Sequence, residues 1–166
     1  MSELEPCIEE LVQQLAAKLT EEGWMLATAE SCTGGMIAAA CTDLAGSSQW
    51  FDRGFVTYSN EAKTEMLGVP AELIAKHGAV SEEVVRAMAE GAIRHSRAQV
   101  SIAVTGIAGP GGGSVQKPVG TVWVGLCVRN KCLSTLLHLE GSRHHIRQAT
   151  LKSALQELLK TLASYQ

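Results

Sequence analysis

The chain has 166 residues, with 17 acidic and 14 basic side chains and a formal net charge of −3. That length suits one domain, residues 1–166, with a core that needs no metal or disulfide staple. The mild negative charge, with no basic stripe, argues against a nucleic-acid binder, and no apolar run approaches the ~20 residues that span a bilayer. The five cysteines, at 7, 32, 41, 127 and 132, form no CxxC pair. With no signal peptide in the sequence, they read as reduced thiols of a cytoplasmic protein.

Leu4, Ile8, Leu11, Val12, Leu15, Ala16 and Leu19 fall on one face and predict a first helix, ended by Glu22-Gly23. Residues 24–27 read as a short buried strand. A second helix opens at Met36 and closes near Leu44-Ala45-Gly46. Aromatic and β-branched residues at 51–59 predict a strand. Asn60 then reads as the cap of a short helix carrying Glu61, Lys63, Met66 and Leu67, stopped by Gly68. Pro70 starts another helix over 71–77, and Ser81 caps the next, with Glu82 and Glu83 in its first turn. A central strand over 99–105 leads into the only long Gly/Pro-rich segment, 106–118. Residues 119–129 and 131–139 form two strands around a tight turn at Asn130, and the last helix covers 142–162. Strands interleaved with helices imply an α/β protein, a three-layer α/β/α sandwich with a mixed, mainly parallel sheet. There is no internal repeat and no linker. Apolar faces on the terminal helices, read as exposed, point to a homo-oligomer.

The stretch A-E-S-C-T-G-G, Ala29 to Gly35, sits where a strand hands over to a helix. A serine there is either a nucleophile beside free helix N–H groups or simply the helix cap. The loop Gly106 to Gly113 follows a strand and so lies at the ligand-binding end of an α/β sheet. Its glycines let backbone N–H groups approach an anion, but a ligand-free loop fits the same residues. Gly112 stands where a P-loop needs lysine, and GxGxxG is absent. Tyr58 and Lys63 flank a strand-to-helix turn, so their heads can converge; an ordinary solvated lysine is the alternative. Arg143 and Arg147 lie one helical turn apart, spaced either as a phosphate clamp or as solubilising surface charges. The five histidines lack metal-ligand spacing, and the nucleophile-elbow pattern GxSxG is absent around Ser31.

Five motifs occur in order: A-E-S-C-T-G-G at Ala29, G-F-V-T-Y-S-N-E-A-K at Gly54, G-A-V-S-E at Gly78, G-I-A-G-P-G-G-G at Gly106 and K-P-V-G-T-V at Lys117. With them the chain strongly resembles the C-terminal domain family of the competence/damage-inducible protein CinA, over essentially its whole length. The N-terminal domain of the longer CinA proteins is not part of this sequence. The resemblance implies hydrolysis of the carboxamide of nicotinamide mononucleotide to nicotinate mononucleotide and ammonia, with no metal or organic cofactor. It also implies a Ser–Lys arrangement: Ser31 as nucleophile, Lys63 as base and Tyr58 as helper that positions or relays the proton. Backbone N–H groups of Thr33, Gly34 and Gly35 are then the expected oxyanion donors. Thr105 with the loop glycines Gly106, Gly109 and Gly111 is the first choice for the 5′-phosphate, and Arg147 the second. Relatives often carry G-D-R where this chain has Gly141-Ser142-Arg143. Serine caps a helix about as well as aspartate, so only the charge around the two arginines is affected. Two rival readings remain at this point, a non-catalytic nucleotide-binding module and an amidase of a related pyridine nucleotide.

Overall fold

The computed structural model describes residues 5–165, so Leu4 lies outside the described residues. Six helices and five strands follow one another as α1 (Ile8–Glu22), β1 (Leu26–Glu30), α2 (Met36–Thr42), β2 (Phe51–Val56), α3 (Asn60–Leu67), α4 (Ala71–His77), α5 (Glu82–Arg94), β3 (Val100–Gly106), β4 (Thr121–Val128), β5 (Lys131–His138) and α6 (Arg143–Ala163). The strands form one sheet in the order β2-β1-β3-β4-β5. β1 is parallel to both β2 and β3, whereas β4 is antiparallel to β3 and β5. Four of the five strands therefore run one way, and the late hairpin makes the sheet mixed.

The period-2 alternation of the central strands decides which layer each residue feeds. Leu26, Val100, Ile102 and Val104 join Leu11, Leu15, Ile37, Leu155 and Leu158, so α1, α2 and α6 cover one face. Ala27, Ala29 and Ala103 face the other way, onto Val84, Val85, Met88 and Ala89 of α5, with Leu67 and Ile74 from α3 and α4 behind them. Small residues on that face let α5 lie close, and the Ser101 hydroxyl donates to the Ala89 carbonyl at 2.8 Å. The result is the expected α/β/α sandwich.

Several local expectations shift. The β1 strand begins two residues late and runs to Glu30, which carries the strand up to Ser31. The α2 helix stops at Thr42, short of Leu44. Ser59, not Asn60, caps α3, accepting from the Ala62 N–H at 3.0 Å; its extended backbone points the hydroxyl back at the helix, while Asn60 is already helical. The expected apolar faces on the terminal helices are buried: Leu11, Val12, Leu15 and Leu19 of α1 share one core with Leu151, Leu155, Leu158 and Leu162 of α6. That removes the ground on which a homo-oligomer was expected. The expectation of five reduced thiols is corrected too. Cys127 and Cys132 are joined by a disulfide, because the two-residue turn at Arg129-Asn130 sets them directly opposite each other in the β4–β5 ladder. Cys7, Cys32 and Cys41 are free. No helix among the described residues is long and apolar enough to cross a membrane.

Candidate active site

Strand β1 ends inside the sheet, and the chain must turn sharply to enter α2. Gly34 and Gly35 make the turn possible, with φ of 57° and 107°, the left-handed region that costs glycine nothing. Gly35 is the cap of α2 and has no side chain to accept its N–H groups. The carboxylate of Glu30, 1 % exposed, does this instead. It accepts from the Ile37 N–H at 2.8 Å, the Ala38 N–H at 3.0 Å and the Thr33 hydroxyl at 2.6 Å. No local sequence pattern assigns Glu30 a role. Its only signal was an acid one residue before the turn, and its bonds reach seven and eight residues ahead. The Ile37 and Ala38 N–H groups at the start of α2 are therefore spent within the chain.

Ser31 sits at the carboxyl end of β1 with its N–H donating to the Val104 carbonyl of β3 at 3.1 Å. Lys63 comes from the first turn of α3 and is 1 % exposed. Its Nζ lies 3.1 Å from Ser31 Oγ, 3.0 Å from the Thr57 carbonyl and 3.4 Å from the Tyr58 carbonyl. No carboxylate among the described residues pairs with it. Burial without a counter-charge pushes its pKa below the usual lysine range, with the nearby Cys32 a weaker opposing influence. A neutral amine there has two N–H bonds for the two carbonyls and a lone pair left over that could accept from the serine hydroxyl. An amine so placed is within the reach that proton transfer from the serine needs.

The two heads open onto a cleft of about 240 Å³ lined by Cys32, Tyr58, Asn60, Ala79, Val80, Thr105, Gly106, Ala108 and Arg143 as well. A larger groove of about 640 Å³, between Trp24, Leu133 and Tyr165, contains neither Ser31 nor Lys63. Among the described residues no three His, Cys, Asp or Glu side chains gather as a metal-binding group. Ala79 and Val80 carry no role in the sequence reading and Asn60 only that of a helix cap, although all three fall inside the motifs quoted above.

The remaining candidate residues separate. Tyr58 is exposed, and its hydroxyl accepts from Arg143 Nη2 at 3.0 Å; among its hydrogen bonds none goes to Ser31 or Lys63 through the ring. Arg143 also donates to the Gly109 carbonyl at 2.8 Å, which ties the glycine-rich loop to α6. Thr105 and Gly106 line the cleft, but the Thr105 hydroxyl is committed to the Ala79 carbonyl at 2.9 Å. A side chain at Gly109 would run into Val119, whereas one at Gly111 would point into open space. Neither lines the cleft. Thr33 is fully buried, and the Gly34 N–H donates to the Ser31 carbonyl at 3.0 Å. Arg147 does not meet Arg143 in a clamp. Its Nε donates to the Cys32 carbonyl at 3.1 Å and its Nη2 to the Thr33 carbonyl at 3.2 Å.

Known proteins match the chain in sequence and in fold. The family model described as the CinA C-terminal domain matches residues 8–162. Nicotinamide-nucleotide amidohydrolase PncC of Enterobacter agglomerans is 50% identical over 158 residues, covering 92% of this chain and 96% of that protein. A CinA-like protein of Syntrophobacter fumaroxidans is 50% identical over 157 residues, but the match takes in only 36% of its length. Among solved structures, the competence/damage inducible protein CihA of Agrobacterium tumefaciens superposes with a TM-score of 0.91 at 48% identity, covering 98% of this chain and 99% of that one.

Proposed function

The chain belongs to the CinA C-terminal domain family, and from that premise we propose that it hydrolyses the carboxamide of nicotinamide mononucleotide to nicotinate mononucleotide and ammonia through an acyl-serine on Ser31. The observation that carries the reading is the buried contact of Lys63 Nζ with Ser31 Oγ at 3.1 Å. Relatives named for this activity match the chain nearly end to end.

Neutral Lys63 takes the Ser31 proton as Oγ attacks the amide carbon. The negative charge that develops on the amide oxygen is met by a backbone N–H of the turn after Ser31. Lys63 then returns the proton to the leaving nitrogen, and ammonia departs. Water, activated by the same amine, attacks the ester, and the acid product leaves with Ser31 restored. The helper part assigned to Tyr58 divides in two: its carbonyl helps hold the Lys63 amine, and its hydroxyl holds Arg143 at the cleft. Arg143, lining the cleft with its positive charge, takes over as first choice for the substrate phosphate.

Ammonia release from nicotinamide mononucleotide, measured on wild type, Ser31→Ala and Lys63→Ala, tests the proposal. Wild type turns over, and both variants fall to background while melting cooperatively. Tight binding without turnover by the wild type identifies a non-catalytic nucleotide-binding module instead. Unchanged turnover in either variant removes the dyad.

A further inference from the structure

We propose that Arg147 is a positioning residue that aims the oxyanion-binding N–H of Cys32, and so serves the chemical step rather than the substrate's phosphate. The proposal rests on the Ser31 reading above. Its basis is the rigidity of the peptide unit, in which C=O and N–H are coplanar and point in opposite directions. Fixing one end of a peptide plane fixes the other.

Arg147 reaches from α6 to the turn after Ser31 and binds two successive carbonyls, of Cys32 and Thr33. With the Thr33 carbonyl held, the N–H on the far side of that plane, from Gly34, is directed to the Ser31 carbonyl. The Ser31 carbonyl belongs in turn to the plane whose other end is the Cys32 N–H. Orientation therefore passes from the guanidinium through two planes to a donor on a residue that lines the cleft, next to the nucleophile.

The other donors of the turn are spent or out of reach. The Ser31 N–H goes to Val104, and the Gly34 N–H goes to Ser31. Those of Ile37 and Ala38 go to Glu30. Thr33 is fully enclosed, and Gly35 does not line the cleft. The Cys32 N–H donates to no acceptor outside its own residue among the described residues. An unpaired backbone donor with small exposure is uncommon in a folded chain and marks a place where a ligand acceptor belongs. Arg147 itself is poorly placed as a phosphate ligand, since two of its three nitrogens already serve the turn.

The test compares Arg147→Met, and Arg147→Gln in case the first variant fails to fold, with wild type on two substrates. One is nicotinamide mononucleotide, and the other is nicotinamide riboside, which lacks the phosphate. A positioning role lowers kcat about ten- to a hundredfold, short of or near the 10²–10³ of deleting an oxyanion donor. The factor is the same on both substrates, and KM is little changed. A rise in KM confined to the mononucleotide, with the riboside untouched, overturns the proposal and makes Arg147 a phosphate ligand. An inactive wild type refutes the functional reading instead. In that case, or if the riboside is not turned over, crystal structures decide. Rotated Cys32–Thr33 and Thr33–Gly34 peptides in the variant, with the Lys63–Ser31 contact kept, support the proposal, and unmoved peptides overturn it.

Discussion

Lys63 combines two demands that usually exclude each other, burial in a folded core and the possession of a titratable amine. Almost the whole side chain is out of water, and its head meets two carbonyls and a hydroxyl but no carboxylate. Holding a proton there is unfavourable, which is what a base working near neutral pH requires. The cost falls on stability in a way that can be measured. In the unfolded chain the amine titrates near 10.5, and in the folded chain below that. Between the two values the unfolded state binds one proton more, so the folded state gains stability as pH rises, and the gain ends above the unfolded value. Lys63→Met has no such proton. The difference in unfolding free energy, wild type minus Lys63→Met, should therefore climb with pH by at most about 1.4 kcal/mol per unit and level off above 10.5. Urea melts of both proteins at a series of pH values read this directly. A flat difference means the amine stays protonated in the folded chain and cannot be the base.

The α2 helix shows how a short element is held by something outside itself. Seven residues are too few to form a stable helix alone, and its glycine cap offers no acceptor. The Glu30 carboxylate supplies the missing acceptors from the end of β1 and thereby fixes the turn that carries Ser31. Glu30→Ala leaves two N–H groups and a hydroxyl unpaired, and is expected to lower stability by about 2–4 kcal/mol. Glu30→Gln keeps one carbonyl oxygen and should lose about half as much. Equilibrium unfolding of the two variants checks the order, and equal losses would mean that the negative charge, not the acceptor geometry, holds the helix.

Glu30 also marks the limit of what the sequence makes legible. The face of α1, the Ser81 cap of α5 and the Pro70 start of α4 were readable because each depends on residues within one or two turns. Bonds from Glu30 to α2, from Arg147 to the turn and from Arg143 to Tyr58 join residues seven to 115 positions apart, and no local pattern announces them. The residues Ser31 and Lys63 were named by resemblance, but their meeting depends on β1 and α3 lying at the same end of the sheet. The burial of α1 against α6 was misread for the same reason, since an apolar stripe looks alike whether its partner is a distant helix or another chain.

At the scale of the molecule, one sheet carries both apolar layers, so neither layer can open without exposing the strands that serve the other. Such a body is expected to unfold as a unit. Its three free thiols make that measurable. Cys7 is exposed ahead of α1, whereas Cys41 is fully buried between α2 and the sheet and Cys32 is 6 % exposed at the cleft. Burial pushes the Cys32 thiol up to about 11 and the Cys41 thiol up to about 12, so neither is a thiolate at neutral pH. A thiolate-specific disulfide reagent at pH 8 should label Cys7 quickly, and Cys32 and Cys41 only after the chain unfolds. If unfolding is cooperative, those two slow reactions share one dependence on urea, and its slope matches the m-value of the equilibrium melt. Faster labelling of Cys32 alone, with a shallow slope, would show that the turn bearing Ser31 opens locally. A loose turn could not hold the Cys32 N–H in place, so that result would count against the peptide relay from Arg147 as well as against the cooperative body.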